Sequence, residues 1–425
     1  TGTDEHGTKI YEKARELGKT PQEYCDEMSE HFRGLKDVLN ISYTNFIRTT
    51  DEHHIKAAQE FWKRCESNGD IYKKHYQIKY CVGCELEKTD SDLVDGKCPE
   101  HPKMEIQLIE EENYFFRFSK YQDALLKLYR ERPDFVLPKK RMNEIVAFVE
   151  RGLQDFSISR LKAKMPWGIA VPGDDEHVMY VWFDALVNYI STLGWPDNEE
   201  QFRGFWPGLQ IAGKDNLRQQ SAMWQAMLLS AGIEPSQKIL INGFITVDGQ
   251  KMSKSLGNVI SPKELVERFG VDGTRYLLLS GAPIGEDVDV TWERLTEKYN
   301  ADLANGLGNL VSRVLKLSEK LTTYDSKFTT EYPDEFSQML SGYRLSEGLE
   351  YVWSLVRAAN KYIDETKPWE LAKIDQATFE EVMRKLLGDI ALISNLLVPF
   401  LPETAEKIRI MLETRKGEIL FQRIR

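Results

Sequence analysis

Lys251-Met252-Ser253-Lys254-Ser255-Leu256-Gly257-Asn258 follows the strand-like run Ile239-Leu240-Ile241 and precedes a helix opening at Ser261. Two ammonium groups and two hydroxyls in five residues make a loop suited to phosphate. Lysine carries a mobile point charge that can follow a polyphosphate, and the hydroxyls add short donors. Turn formers flank the run, Asp248-Gly249 before and Gly257-Asn258 after, so the loop can close over a ligand and reopen. Ser261, Pro262 and Glu264 then read as N-cap, N1 and N3 of a capping box. A solvated surface loop would also carry lysine and serine; the full string from Lys251 to Asn258 is more specific than its composition.

Further apolar strand-like runs, Val178-Met179-Tyr180-Val181-Trp182, Leu209-Gln210-Ile211 and Lys238 to Asn242, alternate with helical stretches. That alternation predicts an α/β fold with a parallel sheet covered by helices. Ligands of such sheets bind beyond the carboxyl ends of the strands, where Asp4, Gly213 and the Lys251 loop would converge. Between about residues 69 and 172 the pattern changes to short β-type runs around a cysteine knuckle, which reads as an insertion. After about Val288 the chain turns helical: Leu303, Leu307, Leu310, Val314, Leu317 and Leu321 form one apolar stripe, and Asn309, Arg313, Lys316 and Lys320 fall on a polar, basic face. The expected architecture is a Rossmann-like parallel-sheet catalytic domain split by a zinc-knuckle insertion and followed by an all-α bundle. Its expected boundaries are 1–68 and 173–244 for the split domain, 69–172 for the insertion, 245–291 for the loop and the region after it, and 292–425 for the bundle.

Cys81-x-x-Cys84, then Cys98-x-x-His101, offers four ligands at knuckle spacing, suited to one tetrahedral zinc held by three thiolates and an imidazole. Four protein ligands leave no open position, so the metal would be structural. Free thiols beside a surface histidine are the alternative. Asp4-Glu5-His6-Gly7-Thr8 is either a plain turn or a grip for an ammonium group through Asp4. Gly213-Lys214-Asp215 offers a glycine for close backbone approach and a carboxylate for ribose hydroxyls, yet Gly-x-Asp also occurs in ordinary turns. The aromatic run from Tyr180 to Tyr189 is either core or a close-fitting apolar pocket for a thioether.

With 425 residues, 41% hydrophobic and 29% charged, the chain has the composition of a multidomain globular protein. No apolar stretch approaches the roughly 20 residues that cross a bilayer, so no membrane partner and a cytoplasmic location are expected. A net charge of −11 argues against nonspecific coating of nucleic acid, though not against a local basic track for one RNA. Five cysteines, three of them clustered, suit a reducing compartment.

The Lys251 to Asn258 string resembles the signature loop of class I aminoacyl-tRNA synthetases, and the other segments resemble the methionyl type along the whole chain. The resemblance implies ATP-dependent activation of L-methionine, with Mg²⁺ on the ATP, and transfer to tRNA(Met). Lys251, Lys254, Ser253 and Ser255 would act on the phosphates, and Gly213 and Asp215 would help to bind ATP. Asp4 would hold the amino group of methionine, and Trp182, Ala185, Leu186 and Tyr189 would line its pocket. Gln220 stands where many members have a histidine. Asn309, Arg313 and Trp369 would read the anticodon, which makes the helical bundle an anticodon-binding domain. The zinc knuckle, followed by a segment like Glu111 to Phe116, fits one subgroup of the methionyl type.

A second signature of the class, His-x-Gly-His, does not occur in the 425 residues, and the family places it upstream of the segment matching Thr1. Because the chain opens on Thr1-Gly2-Thr3, its numbering is expected to start inside a larger protein. A noncatalytic tRNA-binding protein that keeps the scaffold is the competing expectation. Cysteinyl or valyl types share the phosphate loop but fit Trp182 and Trp369 less well.

Overall fold

The computed structural model describes residues 1–84, 86–88, 92–252, 257–321 and 331–425. Ser253, Lys254 and Ser255, singled out above, lie outside the described residues. The chain forms two compact units: residues 1–36 with 42–241, and residues 37–41 with 242–425.

In the first unit, strand Gly2–Thr3 pairs in parallel with Ile47–Arg48. A second piece of sheet has the order Leu209–Gly213, Lys238–Asn242, Val136–Leu137, and the last two strands are parallel. The strand Val136–Leu137 comes from within the stretch read as an insertion and joins this sheet. Its core is built on the helix Glu52–Ser67, whose Phe61 and Trp62 are fully buried. Phe61 stacks on Trp224 at 5.4 Å, and Trp62 meets Phe183 edge-on at 5.2 Å. Each such ring contributes about 1.5–3 kcal/mol through burial alone.

From this core projects a ribbon formed by the two long strands of a four-stranded sheet, with Leu86–Lys88 and Phe156–Ser157 at its edges: Ile71–Cys81 runs antiparallel to Gln107–Phe116, in continuous register from Ile71↔Phe116 to Tyr80↔Gln107. The described residues between 82 and 106 form its tip.

One expected strand is corrected. Val178-Met179-Tyr180-Val181-Trp182 is not a strand throughout: the strand is Asp174–Met179, and Val181–Ala185 is a short helix. The strand pairs antiparallel with Ser159–Leu161 and Ala170–Val171, so it lies outside the parallel set. A fully apolar run carries no periodicity to separate strand from buried helix. The chain turns at Tyr180, whose carbonyl accepts the amides of Phe183 and Asp184.

The second unit opens with a hairpin, Ile245–Val247 against Gln250–Lys251. Asp248 and Gly249 occupy its turn with φ of 52° and 70°, the left-handed pair that an Asp-Gly hairpin turn requires. Ser261 caps the helix Pro262–Leu279 through a capping box with Glu264, as the sequence predicts.

Beyond it lie Trp292–Lys298, a wide π-type stretch Tyr299–Gly308, and Asn309–Ser318. The helices Leu345–Thr366, Gln376–Leu397 and Pro402–Thr414 complete its core. Leu303, Leu307, Leu310 and Val314 are all fully buried, Leu317 and Leu321 pack against them, and Asn309, Lys316 and Lys320 face outward. Among the described residues no helix is long and apolar enough to cross a membrane.

Candidate functional site

A cleft of about 540 Å³ in the first unit is lined by Thr1–Asp4 and Ile47 on one side and Leu209–Ile211 on another. Asn188, Tyr189, Thr192 and Leu193 complete much of its wall. Asp4 and Tyr189, expected to grip an amino acid, therefore share one cavity. Gln220 is buried, and its Nε2 donates to the Tyr189 hydroxyl at 2.8 Å. Burial raises the Tyr189 pKa; the Gln220 bond opposes the shift and the charge of Asp4 adds to it.

Ala185 and Leu186 are buried on the turn that leads to Tyr189. Trp182 does not line this cleft. It packs against the cluster of Tyr80, Tyr180 and Val181, and its indole N–H is buried without a hydrogen-bond partner. Gly213 ends the strand Leu209–Gly213, and Asp215 follows, exposed, in the first turn beyond it.

Asp4 is exposed, but the chain on either side of it is fixed by residues that local sequence does not reveal. Buried Glu5 accepts from Arg48 Nε and Nη2 at 2.8 and 2.9 Å, from Thr3 Oγ1 at 2.7 Å and from Thr50 Oγ1 at 2.5 Å. Its amide donates to Thr49 Oγ1 at 2.9 Å, and its carbonyl accepts from Trp167 Nε1 at 2.6 Å. A carboxylate with four donors, two of them from one bidentate arginine, is a rigid anchor. It presents its neighbour Asp4 in one backbone conformation.

At the ribbon tip, Cys81, Cys84, Cys98 and His101 bring one ligand atom each to within 4.8 Å of one another. Cys84 Sγ lies 3.4 Å from Cys98 Sγ and 3.2 Å from His101 Nδ1, which is itself 3.9 Å from Cys81 Sγ and 4.0 Å from Cys98 Sγ. A tetrahedron with Zn–S near 2.3 Å and Zn–N near 2.0–2.1 Å has edges of about 3.8 and 3.6 Å, so the cage has the right size. The four residues could bind a metal.

A carboxylate oxygen, Glu100 Oε2, also sits 3.2 Å from Cys84 Sγ. Gly83 is required here, because a Cβ at this position would lie 2.4 Å from the His101 ring.

In the second unit, Lys251 ends the hairpin with its Nζ 4.3 Å above the Phe244 ring, an arrangement that holds the ammonium by cation–π attraction. The Gly249 amide donates to Asp289 Oδ1 at 2.7 Å, and Thr246 Oγ1 donates to the same oxygen at 2.9 Å. The base of the loop is thus pinned.

On the helical bundle, Arg313 Nη2 lies 2.8 Å from Asp364 Oδ1, and the guanidinium sits 5.7 Å from the centre of the Trp369 ring. Trp369 is 37% exposed directly after the buried Pro368. Asn309, one helical turn before Arg313, lines a cavity of about 390 Å³ with Asn305, Ser312 and Phe421. An indole face, a guanidinium plane and an amide at one surface suit unpaired bases.

Comparison with known proteins agrees along the whole chain. A family model described as "tRNA synthetases class I (M)" matches residues 1–107 and 101–315, and "Anticodon binding domain of methionyl tRNA ligase" matches residues 316–420. The methionine–tRNA ligase of Thermotoga maritima is 42% identical over 96% of this chain and 68% of its own length. That of Clostridium acetobutylicum is 41% identical over 100% of this chain and 71% of its own. A crystal structure of Mycobacterium tuberculosis methionyl-tRNA synthetase bound by methionyl-adenylate superposes with a TM-score of 0.89 at 37% identity, covering 96% of this chain and 85% of that one. On these matches, carried by both units of the fold, the chain belongs to the methionyl-tRNA synthetase family of class I tRNA synthetases.

Proposed function

We propose that this chain works as a methionine–tRNA ligase, activating L-methionine with ATP and passing it to the 3′ end of tRNA(Met). The observation that carries the reading is the meeting of Asp4, Tyr189 and the Gln220 bond at one cleft, in a chain that resembles methionine ligases from end to end. The carboxylate of methionine attacks the α-phosphate of ATP, the bond to the bridging oxygen breaks, and pyrophosphate leaves. A ribose hydroxyl of the tRNA then attacks the activated carbonyl and releases AMP. Mg²⁺ enters with ATP as part of the substrate.

Neither step needs a covalent enzyme intermediate, so the side chains contribute orientation and charge. Asp4 binds the ammonium group, and Tyr189, with Ala185 and Leu186 on the turn before it, encloses the thioether, with Gln220 orienting the Tyr189 hydroxyl; Trp182, which packs outside this cleft, takes no part. Gly213 and Asp215 take the ribose of ATP. Lys251 and Lys254, with Ser253 and Ser255, neutralise the phosphates as charge develops. The metal at Cys81, Cys84, Cys98 and His101 is zinc in a structural role, a reading supported by three sulfur ligands and one nitrogen. Asn309, Arg313 and Trp369 read the unpaired anticodon. The sequence segments 1–68 with 173–244, 69–172, 245–291 and 292–425 then divide the work among activation, insertion, loop and anticodon recognition.

The test is methionine-dependent pyrophosphate exchange, with tRNA charging in parallel. Exchange in full-length protein above background supports the ligase. Charging-inactive protein that still binds tRNA would instead support the noncatalytic alternative. Asp4→Ala removes one charge-assisted bond, worth about 1.5–3 kcal/mol, so methionine affinity should fall by about 10- to 150-fold. Because Asp4 is exposed and Glu5 holds the backbone, the melting temperature should stay within a degree or two; unchanged affinity would remove Asp4 from the pocket.

Trp369→Ala should lower kcat/KM for tRNA by about 5- to 150-fold, the worth of one stacked base. Amino-acid activation should be unaffected. Equal losses in exchange and charging would refute the anticodon role.

A further inference from the structure

Val181-Trp182-Phe183-Asp184-Ala185-Leu186-Val187 is apolar except for Asp184, and Asp184 is 0% exposed. A carboxylate placed so deeply is costly unless a partner compensates it. Its partner is His6, 6% exposed, whose Nδ1 lies 3.0 Å from Asp184 Oδ2. The two atoms meet off the line of a straight hydrogen bond, and Asp184 Oδ1 has no hydrogen-bond partner. Trp167 covers the imidazole, with ring centroids 5.4 Å apart, and bonds the carbonyl of Glu5. Near the pair, buried His54 meets Ser191 Oγ through Nδ1 at 2.9 Å. Burial, with the neighbouring His6 and His53, pushes the His54 pKa down to about 3, so His54 is neutral at pH 7. Burial raises the Asp184 pKa, and His6 opposes that rise.

The two residues occupy informative places in the chain. His6 follows Asp4 by two positions, in the turn that enters the helix Thr8–Glu16. Asp184 lies between Trp182 and Ala185-Leu186, in the short helix that leads to Tyr189. Their contact is therefore a strut between the segment that bears the ammonium grip and the segment that bears the thioether pocket. A core side chain placed only to fill volume would have been apolar here, as every neighbour in the run is.

We propose that His6 and Asp184 are positioning residues that set the separation of the ammonium and thioether subsites, and through it the length of amino acid the cleft accepts. The proposal rests on the methionine reading of the cleft. Neither residue has to touch the substrate. The strut acts by holding Asp4 and the Ala185–Tyr189 turn at one spacing, so its loss softens discrimination by length rather than merely lowering affinity.

The experiment measures, by calorimetry on the full chain, the affinity ratio of methionine to its homologue with one added methylene between Cα and sulfur. In a fitted pocket one methylene is worth about 10- to 200-fold. Asp184→Asn, which keeps the shape and removes the charge, should cut the ratio by about tenfold. His6→Asn, which keeps a donor near the Nδ1 position, should hold it within about twofold of the parent. A role confined to folding lowers the bound fraction for both ligands alike and leaves the ratio unchanged, and that result overturns the proposal. Should Asp184→Asn fail to fold, the double variant His6→Leu with Asp184→Leu, which leaves no orphaned charge, carries the same comparison: a reduced ratio supports the strut and a parental ratio overturns it. Asp4→Ala separates the two readings: if it binds methionine as the parent does, the cleft assignment has failed, whereas weakened binding there with an unchanged ratio in Asp184→Asn defeats the strut alone.

Discussion

Removing both ammonium groups of the phosphate loop, Lys251→Ala with Lys254→Ala, is expected to slow methionyl-adenylate formation by at least about 10³-fold. A single preorganised donor aimed at developing charge is worth about 10²–10³ in rate, and here two full charges are lost. Methionine binding in the absence of ATP should change by less than about twofold, because in the proposed mechanism the loop acts on phosphate charge that grows on the way to the transition state. The hairpin should survive the change. Its turn is set by Asp248 and Gly249, and its base by the Gly249 and Thr246 bonds to Asp289, none of which involves a lysine. Lys251→Arg should restore only part of the rate, since a planar fork on a different stem replaces a compact charge. Rapid-quench measurement of adenylate in a single turnover decides between these outcomes. A double variant that loses methionine affinity while forming adenylate at the parental rate would remove the loop from the chemistry.

How much of this is legible in the sequence follows from how far apart the cooperating residues lie. The Asp248-Gly249 turn and the Ser261 capping box are local, and both occur as read. The knuckle is local in two halves, Cys81-x-x-Cys84 and Cys98-x-x-His101, so spacing alone names the four residues that the fold brings together and that could bind a metal. By contrast, Glu5 and Arg48 are 43 residues apart and offer no pattern that would pair them before the parallel strands Gly2–Thr3 and Ile47–Arg48 do so. His6 and Asp184 are further apart still, although a lone carboxylate inside Val181–Val187 is a signal that the sequence does carry. The run Val178–Trp182 misleads at its end because aromatic and β-branched residues serve a strand and a buried helical turn equally well. The same aromatic run suggests one pocket wall, whereas Trp182 joins Tyr80 and Tyr180, and Tyr189 joins Asp4.

Withdrawing the metal should unfold the ribbon tip while leaving the core of the first unit standing. The ladder from Ile71↔Phe116 to Tyr80↔Gln107 supports the two strands, but the described residues between 82 and 106 carry few buried apolar groups; Cys98 is buried within the cluster of Cys81, Cys84 and His101. On the proposed zinc reading the tip draws its stability from the ion, whose apparent binding free energy in zinc modules is about 10–16 kcal/mol. Cys98→Ser should therefore lower zinc from one per chain to well below that value by elemental analysis, and hydrogen exchange at residues 92–106 should accelerate by about 10²-fold or more. Exchange in the helix Glu52–Ser67, where Phe61 and Trp62 are fully buried, should hardly move. Gly83→Ala tests the same geometry without touching a ligand, because its Cβ would press on the His101 ring at 2.4 Å and spread the cage. If Cys98→Ser kept one zinc per chain and parental exchange at the tip, the four residues would be thiols and an imidazole that merely lie close, and the ribbon would have to be held by its ladder alone.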